Sequence, residues 1–126
     1  MRRFLAACTA ALSIAAFAPQ TAMAAEHTST PDVVTNPNDG QTISIQVFQP
    51  AVATPDSQVP VILHSHGWGG SKATAISGEI KSMLDAGLGV VSISQRGHGT
   101  SGGQAHVQDP TRETEDIKAV IDYIAG

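Results

Sequence analysis

The chain is expected to fold as an α/β domain with a mostly parallel sheet, and three observations lead there. Two apolar runs, residues 59–64 and 88–94, lack polar alternation, as strands covered on both faces do. Each is followed by a glycine-bearing loop and then by apolar residues at helical spacing. An alternating segment precedes both, so the order is strand hairpin, strand, helix, strand, helix.

The first 24 residues stand apart. Arg2 and Arg3 form a positive start, residues 4–18 are apolar, and Ala22-Met23-Ala24 supplies a small-x-small cleavage site. That order is the signature of a secretory signal peptide, removed before Ala25. Leu5-Ala6-Ala7-Cys8 imitates a lipidation box, but it leaves only four residues between Arg3 and the modified position, against about 7–15 in an apolar core of this kind. The domain is therefore expected to occupy residues 25–126 of the 126, in a secreted or periplasmic protein.

Residues 25–35 are polar and contain a proline, and are expected to be loose, with Val33-Val34-Thr35 as a short hairpin partner. Asn36-Pro37-Asn38-Asp39-Gly40 is a turn, its Asp-Gly suited to positive φ. Ile43, Ile45 and Val47 then alternate as one face of a half-buried antiparallel strand. Residues 50–57 form a surface connection, and Pro60 is tolerable at the start of the strand over 59–64. Ile76, Ile80, Met83 and Leu84 predict a helix from near Thr74, stopped by Gly87. After the strand over 88–94, residues 96–103 hold four glycines. Asp109-Pro110 then reads as an N-cap and first helical position, with Glu113, Glu115 and Asp116 near the positive end of the dipole. Ile117, Val120, Ile121 and Ile124 form that helix's apolar stripe.

Charge and cysteine usage narrow the function classes. Beyond residue 24 the five basic residues (Lys72, Lys81, Arg96, Arg112 and Lys118) face all eleven acidic ones. No basic patch exists, which argues against nucleic acid or an anionic membrane as a partner. Cys8 leaves with the leader, so no disulfide framework is expected.

The stretch that organises the chain is His64-Ser65-His66-Gly67-Trp68-Gly69-Gly70-Ser71. A buried strand running into His-Gly and a glycine-rich bend offers backbone N–H groups at a sheet's carboxyl edge. Such donors stabilise the oxyanion of acyl transfer. Other motifs compete. Gly99-Thr100-Ser101-Gly102-Gly103 fits the G-x-S-x-G of a nucleophile elbow, but residues intervene both before the serine and between it and the next helix. Gly97 to Gly102 fits G-x-G-x-x-G with Asp122 twenty residues on, but the helix opens too late and Asp122 lies on its polar face. Lys72 lacks the Gly-Lys-Ser/Thr context of a phosphate loop. His64, His66 and His98 invite a zinc reading, but no acid is locally placed as a third ligand. His66 is instead expected to lock the loop by hydrogen bonds, with His64 and His98 bordering it.

With these residues placed, the chain resembles the beginning of an α/β-hydrolase, and more narrowly the X-Pro dipeptidyl-peptidase and cocaine-esterase-like group of secreted serine hydrolases. The resemblance is carried by residues 61–71, by Gly89-Val90-Val91 through Gln95-Arg96-Gly97-His98-Gly99-Thr100-Ser101-Gly102-Gly103, and by Asp109-Pro110 and residues 116–122. It implies the N-terminal part of that fold, truncated before the nucleophile elbow, with nucleophile, acid and base beyond Gly126. It implies a small-molecule ester or peptide as substrate, an acyl-enzyme, and no metal or cofactor. The Trp68 N–H becomes the expected oxyanion donor, His66 and Gly67 its loop, and the chain alone is expected to be inactive. The family usually has an acid two residues before its Arg-Gly; Ser94 stands there, which implies a weaker ionic anchor for Arg96. The rival from another class is a non-catalytic exported binding module on an α/β scaffold. Oligomeric state is not legible.

Overall fold

A computed structural model describes residues 24–126; the expected leader falls on residues 1–23 and so lies outside the described residues. Four strands and two helices follow in the order β1 (Thr28–Thr35), β2 (Thr42–Gln49), β3 (Val61–His64), α1 (Gly78–Asp85), β4 (Gly89–Ile93) and α2 (Glu113–Ala125). The sheet order is β1-β2-β4-β3. It is mixed: β1 with β2 and β2 with β4 are antiparallel, whereas β3 and β4, the two apolar runs, pair in parallel with Ile62 opposite Val90.

The two helices cover opposite faces. Val91 and Ile93 pack with Ile43, Ile45 and Val34 under Val120 of α2. Val90, on the other side of the same strand, packs with Phe48 under Ile80 and Leu84 of α1. Period-two alternation along β4 thus feeds two cores, which is why its five residues are all buried.

Several boundaries differ from the sequence expectations for physical reasons. Residues 28–35 are not loose: all eight pair with β2. Only Val34 of β1 is buried, so the strand is held by backbone bonds and carries no apolar pattern; Pro31 is tolerated because this is an edge. Strand β2 is covered on both faces rather than one, with Ser44 and Gln46 buried as well as Ile43 and Ile45. Helix α1 begins at Gly78 rather than near Thr74, because the preceding strap is tied to the end of β4. Its Lys72 and Ala73 N–H groups donate to the Ser94 and Ser92 hydroxyls (3.0 and 2.8 Å). Helix α2 begins at Glu113 rather than at Pro110. Asp109 caps a separate turn, its Oδ1 accepting from the Thr111 N–H at 2.8 Å and hydroxyl at 2.7 Å. The stripe of α2 is narrower than expected, with Ile121 half exposed.

Candidate active site

Strands β3 and β4 end side by side at one edge of the sheet, and the loops that leave them, residues 65–77 and 94–112, meet there. In open α/β sheets this carboxyl edge is where ligands bind. The first loop bends back at once: the Gly70 N–H donates to the Gly67 carbonyl at 3.0 Å. Among the described residues no group accepts the Trp68 N–H.

His66 ties this bend to the second loop. Its Nε2 accepts from the Gln95 N–H at 3.0 Å, so the proton sits on Nδ1, which donates to the Gly67 carbonyl at 2.7 Å. One neutral tautomer satisfies both bonds. Gln95 adds a second tie, its side-chain amide donating to the Ser65 hydroxyl at 2.7 Å. His98 borders the bend as expected: its ring lies 5.0 Å from that of His66 and 5.5 Å, edge on, from that of Trp68. The Trp68 side chain itself is 81% exposed.

His64 makes no hydrogen bond to the bend. The carboxylate of Glu79 can only accept, so His64 Nε2 donates to it (3.0 Å) and Nδ1 accepts from the Ser92 hydroxyl (2.9 Å). Bonding of this kind, serine to histidine to carboxylate, has the connectivity of a hydrolytic triad. Ser92, however, is completely buried in β4 and also receives the Ala73 N–H, so the group holds the strap before α1 and offers no nucleophile. The ring nitrogens of His64 and His66 are thus committed to protein partners. Among the described residues no cluster of three or more His, Cys, Asp or Glu side chains is placed to hold a metal.

Ser101 has a role that the sequence leaves unread. Its hydroxyl donates to the Ser94 carbonyl at 2.6 Å and accepts from the Ser44 N–H at 2.8 Å. It therefore staples the 97–103 loop across the ends of β2 and β4, and its Oγ is engaged on both sides. The glycines let that loop fold tightly. Gly99 has φ of 55°, and a Cβ there would come within 2.7 Å of Ser94 Oγ.

The expectation of a weak anchor for Arg96 is corrected. Its Nε and NH2 groups donate to the two carboxylate oxygens of Asp116 (2.8 and 2.7 Å), and its remaining arm pairs with Asp39. The bidentate fork and the second carboxylate keep the guanidinium well above its already high ordinary pKa, the bond to Asp116 contributing most. Asn36 Nδ2 donates at 2.7 Å to Asp116 Oδ1, the oxygen that also accepts from Arg96 NH2. Asp116, read from sequence as a dipole-facing acid, is a buried counter-ion. The missing acid at position 94 is replaced by one from α2 and one from the β1–β2 turn. Nothing in one sequence pairs Arg96 with residues 20 and 57 positions away; only the turn around Asp39 was legible.

The model of the X-Pro dipeptidyl-peptidase (S15) family matches residues 39–126. No curated protein matches. Among solved structures, DcsB in complex with its substrate analogue is similar at a TM-score of 0.63 and 18% identity, over 79% of this chain and 32% of its own. The esterase EaEST from Exiguobacterium antarcticum is similar at 0.57 and 22%, over 76% of this chain and 32% of that one. Est1E from Butyrivibrio proteoclasticus, solved with ferulic acid, is similar at 0.56 and 19%, over 75% and 36%. The neighbours are α/β-hydrolases and esterases, and the described strands and helices form a portion of that fold. The chain spans about a third of the length of the structures it matches.

Proposed function

The chain belongs to the X-Pro dipeptidyl-peptidase (S15) family, and on that premise we propose that it carries the oxyanion loop of a secreted serine hydrolase acting on ester or amide bonds through an acyl-enzyme. The observation that carries the reading is the Trp68 N–H. It lacks a partner among the described residues, it stands at the carboxyl end of a parallel strand, and His66 fixes the bend that presents it. A donor in that position lowers the barrier to acyl transfer because it is already oriented when negative charge develops on the substrate oxygen.

The chemistry then divides between segments. This chain supplies one oxyanion donor through Trp68, with His66 and Gly67 shaping the loop. Nucleophile, acid and base belong to the rest of the hydrolase, the residue after the serine supplying the second donor. Neither Ser101 nor Ser92 serves as nucleophile, since both hydroxyls are bound to the scaffold. Residues 25–126 by themselves do not turn over an ester.

A full-length hydrolase containing this chain, mixed rapidly with a p-nitrophenyl ester, should show a burst of nitrophenol and a mass increase equal to the acyl group. The 126-residue chain should show neither. Turnover by the short chain that disappeared on Ser101→Ala would overturn the division. Export is part of the same reading. Mass spectrometry of the exported protein should find Ala25 at the N-terminus, and retention of residues 4–18 would contradict it.

A further inference from the structure

The Trp68 indole and His98 Nε2 belong to the two loops that meet beside the proposed oxyanion donor, and among the described residues neither makes a hydrogen bond. An indole this exposed contributes little to the core, yet it presents a rigid aromatic face at the rim of the site. His98 has a defined polarity. Its Nδ1 donates to the Arg96 carbonyl at 3.0 Å, which leaves Nε2 as an acceptor in the neutral ring, with no partner among the described residues. Arg96 is itself held by Asp116 and Asp39, so the carbonyl that orients His98 is fixed. The two rings meet edge on at 80°, with centroids 5.5 Å apart.

We propose that Trp68 and His98 form a specificity-determining subsite for a planar aromatic group bearing a hydrogen-bond donor, such as a hydroxyaryl group, on the acyl or leaving side of the substrate. The inference rests on the reading of the Trp68 N–H as the oxyanion donor, since that places the scissile carbonyl beside the indole. The donor follows from His98. A ring without one would strip water from the Nε2 lone pair and return nothing, whereas a hydroxyl would satisfy it. Sites built to bond a substrate hydroxyl discriminate strongly against analogues that lack it.

Fluorine NMR of two probes tests the subsite on the 126-residue chain: 4-fluorophenol, which has ring and donor, and 4-fluoroanisole, which has the ring alone. The wild type should bind the phenol several-fold more tightly. His98→Phe, which keeps a ring and removes the acceptor, should erase that preference, and His98→Gln, which restores an acceptor, should recover part of it. Trp68→Leu should lose both probes. Circular dichroism of each variant separates lost binding from lost fold, and the glutamine variant keeps the test decisive if the phenylalanine variant does not fold. Equal binding of the two probes by the wild type, or a phenol preference that survives His98→Phe, overturns the subsite. The readout needs no turnover. A full-length protein that fails to hydrolyse esters while the phenol preference persists would sink the proposed reaction and leave the subsite standing.

Discussion

At the residue scale, the histidines show what a sequence conveys and what it withholds. The His-Gly-Trp run after an apolar strand was enough to expect His66 as a lock on the bend, and its two bonds to Gly67 and Gln95 are there. The partner itself was not legible, because Gln95 is 29 positions away and its contribution is a backbone N–H. Ser101 was harder still, since a staple and a nucleophile are the same residue type in the same glycine-rich string. Geometry separates them, and so should mutation. Ser101→Ala removes the acceptor of the Ser44 N–H and should cost about 1–3 kcal/mol of stability, the range for leaving one buried donor unmet. A denaturant titration reads that loss directly; an unchanged midpoint would mean that the staple contributes nothing.

The charged residues make a second residue-scale prediction. Asp39 is held below the usual carboxylate range, first by the hydrogen bond from Arg96 and next by the Gln41 N–H. Asp109 is held down to about 2, first by the Thr111 hydroxyl and next by the Thr111 N–H. A carboxyl whose folded pKa is depressed stabilises fully above its unfolded value, about 3.9 for Asp. That contribution is lost as pH falls through the folded value. The melting temperature should therefore hold steady from pH 7 to about pH 5 and fall between about pH 4 and pH 2. Asp109→Asn should flatten the lower part of that limb. A melting temperature that rose on acidification from pH 4 to pH 2 would contradict the assignment.

At the scale of elements, apolar periodicity located both helices and the three strands that reach the core, while their ends were set by groups that no periodicity records. Helix α1 starts late because Ser92 and Ser94 capture the N–H groups of the preceding strap. Helix α2 starts late because Asp109 closes its own turn first. Strand β1 was read only at its end, Val33-Val34-Thr35, because only one of its eight residues is buried and the signal that marks the other strands is absent. Strand β3 poses the opposite case. Its apolar run was read as a buried strand, yet it lies at the sheet edge of the described chain, with none of its four residues buried and Val61 at 42% exposure. An apolar edge is a template for pairing with another strand. Residues 25–126 on their own should therefore self-associate in size-exclusion chromatography as concentration rises, and Val61→Lys should reduce it. A monodisperse monomer at every concentration would show that this edge needs no cover.

At the scale of the whole molecule, two parallel strands carry two helices to opposite faces and bring two loops to one edge. That architecture followed from the sequence because α/β layering is written in long apolar runs separated by glycine-rich loops. Chemistry followed less far. The glycine-rich bend after β3 is a local feature and was legible, whereas the Arg96–Asp116–Asp39 cluster that fixes the neighbouring loop joins three distant segments. The central claim is that Trp68 acts through its backbone on a substrate oxygen. Its most direct test is kcat for Trp68→Pro beside Trp68→Phe in the full-length hydrolase, after both variants are shown to be folded. Loss of the N–H in the proline variant should lower kcat by about 10²–10³, as loss of one oxyanion donor does, while the phenylalanine variant keeps most of it. A folded proline variant with wild-type kcat would contradict the account.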